Sequence, residues 1–470
     1  MKGKKYLAKN IVLLTISQMG SKILSFLLVP LYTSVLSSSE YGTYDLFNTT
    51  ITLLIPLLTV NIADAELRFA LDNKDEKDIF TIGLKYLFFG TVIVGTLLGI
   101  NHIFIFNNLV DKYSLFIFLL YFATSVNGVI NNFSRGVDSV KEVAIGGLIC
   151  SIVMLSLNVY FLLYLKLGLA GYFSANIIGL LMQTIYLIVA LKLWQYCTKN
   201  IKNKLLEKEM IKFSRPLIAN NIAWWVNSSS DRYIVTWISG LAANGIYSVG
   251  YKIPSILNVF QTIFSQAWTL SAVKDFDPKD KNNFFTNMYN LYNFGMIFVC
   301  SILILATRII AHVLYAKQFY NAWIYVPWLL ISIVFGSISG YIGGIFAAVK
   351  DSKIFAQTTV LSAIVNTVLN IVLVLWIGPL GAAISTAFSY FITWLIRIIV
   401  VRRYITLHLK VLRDSIAYII LVLQTLSLYL FKNTLLINYA IQVFLLVVLI
   451  ILFFTQFKQI LKNIRKVIKK

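Results

Sequence analysis

Three cations stand inside apolar stretches of this chain: Lys22, Arg232 and Lys252. A charge deep in an apolar helix costs about 2.5–3.5 kcal/mol on insertion scales, so each is a functional candidate by default. Lys22 shares a helical face with Thr15, Gln18 and Ser25. Asn220, Trp224, Asn227 and Asp231 recur at i, i+4, i+7 and i+11, which is one face of a helix, and Arg232 points about 100° away from Asp231. Tyr251, Ser255, Asn258, Thr262 and Ser265 form a third polar stripe, with Lys252 beside it. One Asp cannot neutralise three cations, so the set keeps a positive surplus. The chemistry open to it is electrostatic binding along a polar path through the membrane. Asp231 could equally pair with Lys252 or Arg232 for packing alone, and Lys22 with another carboxylate. Arg68, Arg308 and Arg215 are candidates for a gate or rim. Each also suits a headgroup anchor: Arg68 with Asp64 and Glu66 at the end of a span, Arg215 before Pro216 at the start of one, and Arg308 by snorkelling. Arg397 and Lys85 read as anchors near span boundaries.

The elements that must hold these residues follow from composition. The chain has 470 residues, 59% hydrophobic and 13% charged, with a mean hydropathy of +0.79. A soluble domain is about 45–50% apolar and about 25% charged, so soluble enzymes, nucleic-acid binders and disulfide scaffolds are excluded. Apolar stretches of about 18–25 residues number fourteen. Their approximate limits are 10–34, 44–63, 79–101, 114–134, 143–165, 169–191 and 213–238, then 245–272, 284–312, 324–349, 354–376, 380–401, 414–431 and 435–457. The expected fold is all-α and polytopic, since an isolated strand cannot satisfy its backbone in lipid. The first run lacks an A-x-A-like cleavage site and reads as a span, not a removed signal. Cys150, Cys197 and Cys300, like His102, His312 and His408, are scattered, so neither a metal site nor a disulfide framework is expected.

With the N-terminus inside, 30 of the 41 Lys and Arg fall in inner segments and four, Lys112, Lys166, Lys317 and Lys432, in outer loops. That bias predicts cytoplasmic termini and an even span count, and it absorbs most of the +22 net charge. The basic C-terminal run from Lys458 to Lys470 suits anionic lipid.

The halves repeat. Gly42-x-Tyr44 matches Gly245-x-Tyr247, Asp138-Ser139 matches Asp351-Ser352, and Leu157-Asn158 matches Leu369-Asn370. Gly168-x-x-Gly171 matches Gly378-x-x-Gly381. Four pairs in order at nearly constant offset point to two six-span lobes of the same orientation, whose substrate sites lie between the repeats. The expected division is 1–192, a basic linker 193–212, 213–404, and two extra spans with a basic tail over 405–470. No loop is long enough for a soluble domain and no Walker A sequence occurs, so no ATP site is expected. Coupling to an ion or to the membrane potential stays open. Trp224, Trp225, Tyr247, Tyr251 and Trp268 accompany the polar stripes; sugar stacking and bundle packing explain them equally well.

Several stretches resemble the polysaccharide flippase family of the multidrug/oligosaccharidyl-lipid/polysaccharide exporter superfamily. They are Pro30-Leu31-Tyr32 with Glu40-Tyr41-Gly42-Thr43-Tyr44, then Arg68-Phe69 and Phe133-Ser134-Arg135-Gly136. Arg215-Pro216-Leu217-Ile218 and Ser230-Asp231-Arg232-Tyr233-Ile234 follow. Gly245-Ile246-Tyr247-Ser248, Tyr251-Lys252-Ile253-Pro254 and Gly378-Pro379-Leu380-Gly381-Ala382-Ala383 complete the set. The similarity spans about residues 1–405, and its 7–8 block is the most specific part. The resemblance implies two six-helix lobes in a V that opens alternately to each side. It implies a bacterial inner or plasma membrane and transport of undecaprenyl-pyrophosphate-linked sugars to the outer leaflet. Expected partners are that lipid-linked glycan, the bilayer and polysaccharide polymerase machinery. Lys22, Arg232 and Lys252 are then the expected pyrophosphate contacts, with Gln18, Asp231, Asn227, Tyr251 and Trp224 around them. Spans 13 and 14 are expected to flank a portal for the polyprenyl tail, which accessibility labelling in the presence of the lipid would test. A lipid II flippase is closely related. A cation-coupled multidrug exporter needs buried carboxylates where span 1 carries Lys22, and a polymerase or ligase needs an outer catalytic loop that is not visible.

Overall fold

The computed structural model describes residues 26–71, 75–198, 201–274, 276–349 and 351–458. Every regular element among them is helical. The helices are α1 (Phe26–Val35), α2 (Ser38–Leu58), α3 (Ile62–Ala70), α4 (Glu76–Phe104), α5 (Asn108–Lys112) and α6 (Ser114–Gly136). They continue as α7 (Val140–Val159), α8 (Gly168–Ala190), α9 (Lys204–Ser239), α10 (Leu241–Gly250), α11 (Pro254–Lys274) and α12 (Phe284–Leu314). The last are α13 (Val326–Ala348), α14 (Ser352–Ile377), α15 (Pro379–Val401), α16 (Val411–Leu430) and α17 (Leu435–Leu452). The chain divides into two compact units, Met1–Trp225 and Val226–Lys470.

Among the described residues, ten helices are long and apolar enough to cross a membrane, or eleven if α2 and α3 form one bent span. The chain is therefore a multi-pass, all-helical membrane protein. Fourteen spans are consistent with this set, and the difference has local causes. Most of span 1 lies outside the described residues. Span 7 coincides with α9, which carries the Asn220–Asp231 stripe and two lysines in its first turns. Span 8, expected to be continuous, is broken into the ten-residue α10 and α11. The break falls just before Pro254, whose missing N–H costs least in a first helical turn. Span 2 is likewise two segments, α2 and α3, meeting at 61°. Val60 and Asn61 take left-handed conformations there (φ 54° and 51°), and the Asn61 amide donates to Asp64 at 2.8 Å.

In the first unit, Ile62, Ala65, Ile79, Phe80, Ile130, Phe133, Leu187 and Met210 build a core around α3, α4, α6 and α8. The linker after α8 is sewn to α4. Asp78 accepts from the amides of Lys202 (3.0 Å) and Asn203 (2.8 Å), and Lys85 pairs with Glu207 at 2.7 Å. Lys85 is thus an ion-pair partner more than an interface anchor. In the second unit α13 is the central helix, 89% of its span buried within the structure. Arg413 with Asn290 (2.5 Å), Tyr418 with Asn293 (3.0 Å), and Gln442 with the Gln424 carbonyl (2.7 Å) join α12, α16 and α17.

The repeated residues occupy equivalent places. Gly168 opens α8 and Gly378 precedes α15, both at positive φ (55° and 66°). Three residues on, Gly171 and Gly381 lie against the preceding helical segment. A Cβ on Gly381 would fall 2.3 Å from the carbonyl of Leu373, and one on Gly171 would fall 2.9 Å from Phe161 Cβ. Gly381→Ala is expected to force α14 and α15 apart and to lower stability by about 1–3 kcal/mol, the usual range for overpacking. Gly99→Ala, where nothing lies within 4 Å, is the control. Thermal unfolding in detergent checks both, and equal midpoints would show that the close approach is not needed.

Candidate functional site

Asp231 and Arg232 are carried by α9, and Tyr247 and Tyr251 come from α10 and the residue closing it. Four residues apart, the two tyrosines lie on one helical face. Asp231 is 3% exposed, and its Oδ2 accepts from the Tyr247 hydroxyl (2.6 Å) and the Tyr251 hydroxyl (2.5 Å). Its Oδ1 accepts from the Arg232 amide at 2.9 Å. The Arg232 guanidinium lies over the Tyr251 ring at 5.3 Å, within reach of the ring's negative face. Tyr247 stands edge-on to Tyr251 and packs against Tyr325 at 5.5 Å. The phenols therefore share the carboxylate charge and orient the ring on which the cation rests. Lys252 follows in the turn between α10 and α11, partly buried, and its carbonyl accepts from Ser255 at 2.6 Å.

One turn earlier on α9, Asn227 joins a second network. Its side-chain amide donates to the Thr359 carbonyl at 3.1 Å, and its backbone carbonyl accepts from Asn366 at 3.3 Å. Asn366 in turn accepts from Asn370 at 2.9 Å. Thr359 also leads to Arg397, which is 4% exposed and not an interface anchor. The Arg397 guanidinium donates to Thr358 Oγ1 (2.9 Å), Thr359 Oγ1 (2.9 Å) and the carbonyls of Ser339 (3.1 Å) and Phe355 (3.3 Å). It also stacks on Phe355 at 4.3 Å. These partners are neutral, so a full positive charge is held by oxygen dipoles and a π-face.

Of the residues expected to form the site, Asp231, Arg232 and Tyr251 come together, with Asn227 linked to α14. Lys22 and Gln18 lie outside the described residues. Trp224 is 44% exposed on α9. Arg68 and Arg215 are exposed. Arg308 donates to the Lys432 carbonyl (2.8 Å) and packs on Trp323, tying α12 to the loop after α16. Glu66, expected in the headgroup layer, is fully buried against Gly83. Neither of its carboxyl oxygens has a hydrogen-bond partner among the described residues. The sequence marks Tyr247 only as an aromatic beside the polar stripes and in the duplicated Gly-x-Tyr, and it places Arg397 and Glu66 at span boundaries, with no sign of their burial.

Comparison with known proteins matches residues 7–269 to a family described as polysaccharide biosynthesis protein. No curated protein matches the sequence. Among solved structures, the lipid II flippase MurJ in an inward closed conformation is similar at TM-score 0.72 and 15% identity, over 95% of this chain and 99% of that one. An inward-facing multidrug resistance MATE transporter of the MOP superfamily follows at TM-score 0.68 and 13% identity, over 84% and 95%. A MOP superfamily transporter from Pyrococcus furiosus, described as having a binding pocket of reverse polarity, aligns at TM-score 0.57 and 12% identity over 84% and 95%. At these identities the likeness is one of fold.

Proposed function

Because the chain belongs to the polysaccharide biosynthesis protein family, a family of membrane flippases and not of enzymes, we propose that it moves undecaprenyl-pyrophosphate-linked oligosaccharide from the cytoplasmic to the outer leaflet. The product is a repeat unit for surface polysaccharide such as capsule, O-antigen or a teichoic-type polymer, and the membrane is a bacterial inner or plasma membrane with both termini cytoplasmic. The observation that carries the reading is the buried Asp231–Tyr247–Tyr251 cluster with Arg232 on its aromatic face. An unpaired hydroxyl moved into hydrocarbon costs roughly 2–7 kcal/mol, so a sugar with ten hydroxyls needs a polar route. Arg232, Lys252 and Lys22 supply positive charge for the pyrophosphate. An inside-negative potential helps an anion outward by about 2.3 kcal/mol per charge per 100 mV. A polysaccharide polymerase is the expected receiver of the product.

The test is the sidedness of lipid-linked oligosaccharide in cells depleted of the protein and supplied with wild type or with Lys22→Ala, Arg232→Ala or Lys252→Ala. Accumulation in the cytoplasmic leaflet that wild type relieves and the variants do not is the expected result. Normal sidedness with new sensitivity to cationic drugs would replace the reading with a multidrug exporter. Accumulation of the peptidoglycan precursor instead would replace it with a lipid II flippase.

A further inference from the structure

We propose that the loop joining α4 to α6 is a wedge seated in the bilayer interface, with Ile103–Phe106 in contact with lipid. These four residues are 73%, 65%, 55% and 76% exposed, an apolar tip on a loop bounded by polar residues. Three observations assign the lipid surface as its partner.

Length is the first. Lys85 is the last charged side chain on α4 before the tip, held by Glu207. From Tyr86 to Phe104 the helix rises about 27 Å at 1.5 Å per residue, close to the ~30 Å hydrocarbon thickness. A helix that leaves polar surroundings at Lys85 therefore brings its tip to the opposite boundary of the same layer.

Continuity is the second. Phe89, Ile93, Leu97, Ile100 and Phe104 are all exposed and fall at three- and four-residue spacing, one face of α4. The tip extends that lipid-facing stripe past the helix end, with Phe104 and Phe106 stacked at 5.5 Å.

The third is the build of the loop. Asn101 bonds the Asn107 backbone in both directions (3.2 and 3.1 Å), and Asn107 Oδ1 accepts from the amides of Leu109 and Val110. His102 meets Asp111 at 2.8 Å. This polar scaffold presents Ile105 in a left-handed conformation (φ 50°), where a β-branched residue is disfavoured. The repeat offers an internal control. In the second unit the loop at the same position buries Tyr315, Phe319 and Trp323 within the protein, at 3%, 0% and 7% exposure. There a single apolar residue, Val313 at the end of α12, stays exposed (69%), against four in a row in the first unit.

The experiment uses the full chain carrying Cys197→Ser and Phe106→Cys, labelled with bimane and reconstituted in phosphatidylcholine–phosphatidylglycerol vesicles. Lys112→Cys on the polar side of the same loop is the reference. Bromine atoms placed high on the lipid acyl chains should quench the label at 106 roughly twofold more than aqueous iodide does, and the order should reverse at 112, as interfacial seating demands. Iodide quenching at 106 equal to that at 112 would overturn the proposal. So would shielding of 106 from both quenchers, and crosslinking to a second copy would then name a protein as the partner.

Discussion

Arg397→Ala is expected to lower the stability of the protein by about 2–5 kcal/mol, the range for truncating a large buried side chain and leaving a cavity. Arg397→Met is expected to stay within about 1–2 kcal/mol of wild type. The difference lies in what each leaves behind. Alanine opens a cavity among Ser339, Phe355, Thr358 and Thr359, on the two helices, α13 and α14, that the guanidinium ties to α15. Methionine fills the space and removes the desolvation penalty of the ion, which in real proteins is several kcal/mol. Arg397→Lys should behave more like alanine, because one ammonium cannot reproduce a planar fork that serves four oxygens at once. Thermal unfolding in detergent ranks the three, and the depletion assay then separates structure from transport. If the methionine variant is stable and fully active, the charge serves neither fold nor export. If it is stable and inactive, the cation itself is used. Since Thr359 bonds both Arg397 and Asn227, the second outcome would trace the effect to the position of α9.

The contrast between Arg397 and its reading as an anchor shows where hydropathy stops being informative. Apolar runs mark where a helix crosses, because each must span about 30 Å of hydrocarbon, and the helical segments fall where those runs predict. Periodicity also placed Asn227 and Asp231 on one face of α9. It does not reveal which neighbour a face meets. Arg397 and Glu66 sit near span ends, a position shared by snorkelling anchors and by groups packed inward. The choice between those readings depends on contacts far away in sequence: Thr358 and Thr359 for Arg397, Gly83 for Glu66. The two breaks were hidden for a similar reason. Val60 and Asn61 adopt left-handed conformations that their residue types only weakly announce, and Pro254 is compatible with a continuous kinked helix as well as with a new one. The duplicated motifs fared differently, because each marks a local need. Gly168 and Gly378 meet the same backbone demand at the start of a helix, and a repeat preserves local demands even where tertiary partners diverge.

Asp231 is where the fold and the proposed transport make the most separable demands. Asp231→Ala would leave the Tyr247 and Tyr251 hydroxyls buried without their acceptor, at about 1–3 kcal/mol each. It should therefore lose both stability and export. Asp231→Asn keeps the volume and an acceptor oxygen, so stability should fall by no more than about 1–2 kcal/mol, while the local charge rises by one beside Arg232. If the cluster handles a pyrophosphate, that added charge should slow release of the anion, and the asparagine variant should accumulate substrate in the cytoplasmic leaflet despite being folded. Tyr247→Phe and Tyr251→Phe should each remove one charge-assisted bond, about 1.5–3 kcal/mol. Because both phenols donate to the same Oδ2, the double variant should depart from additivity by about 0.5–3 kcal/mol, as groups sharing a partner do. A folded asparagine variant that exports at the wild-type rate would leave Asp231 a packing residue. It would also move the search for the anion site to the cations that do not touch it.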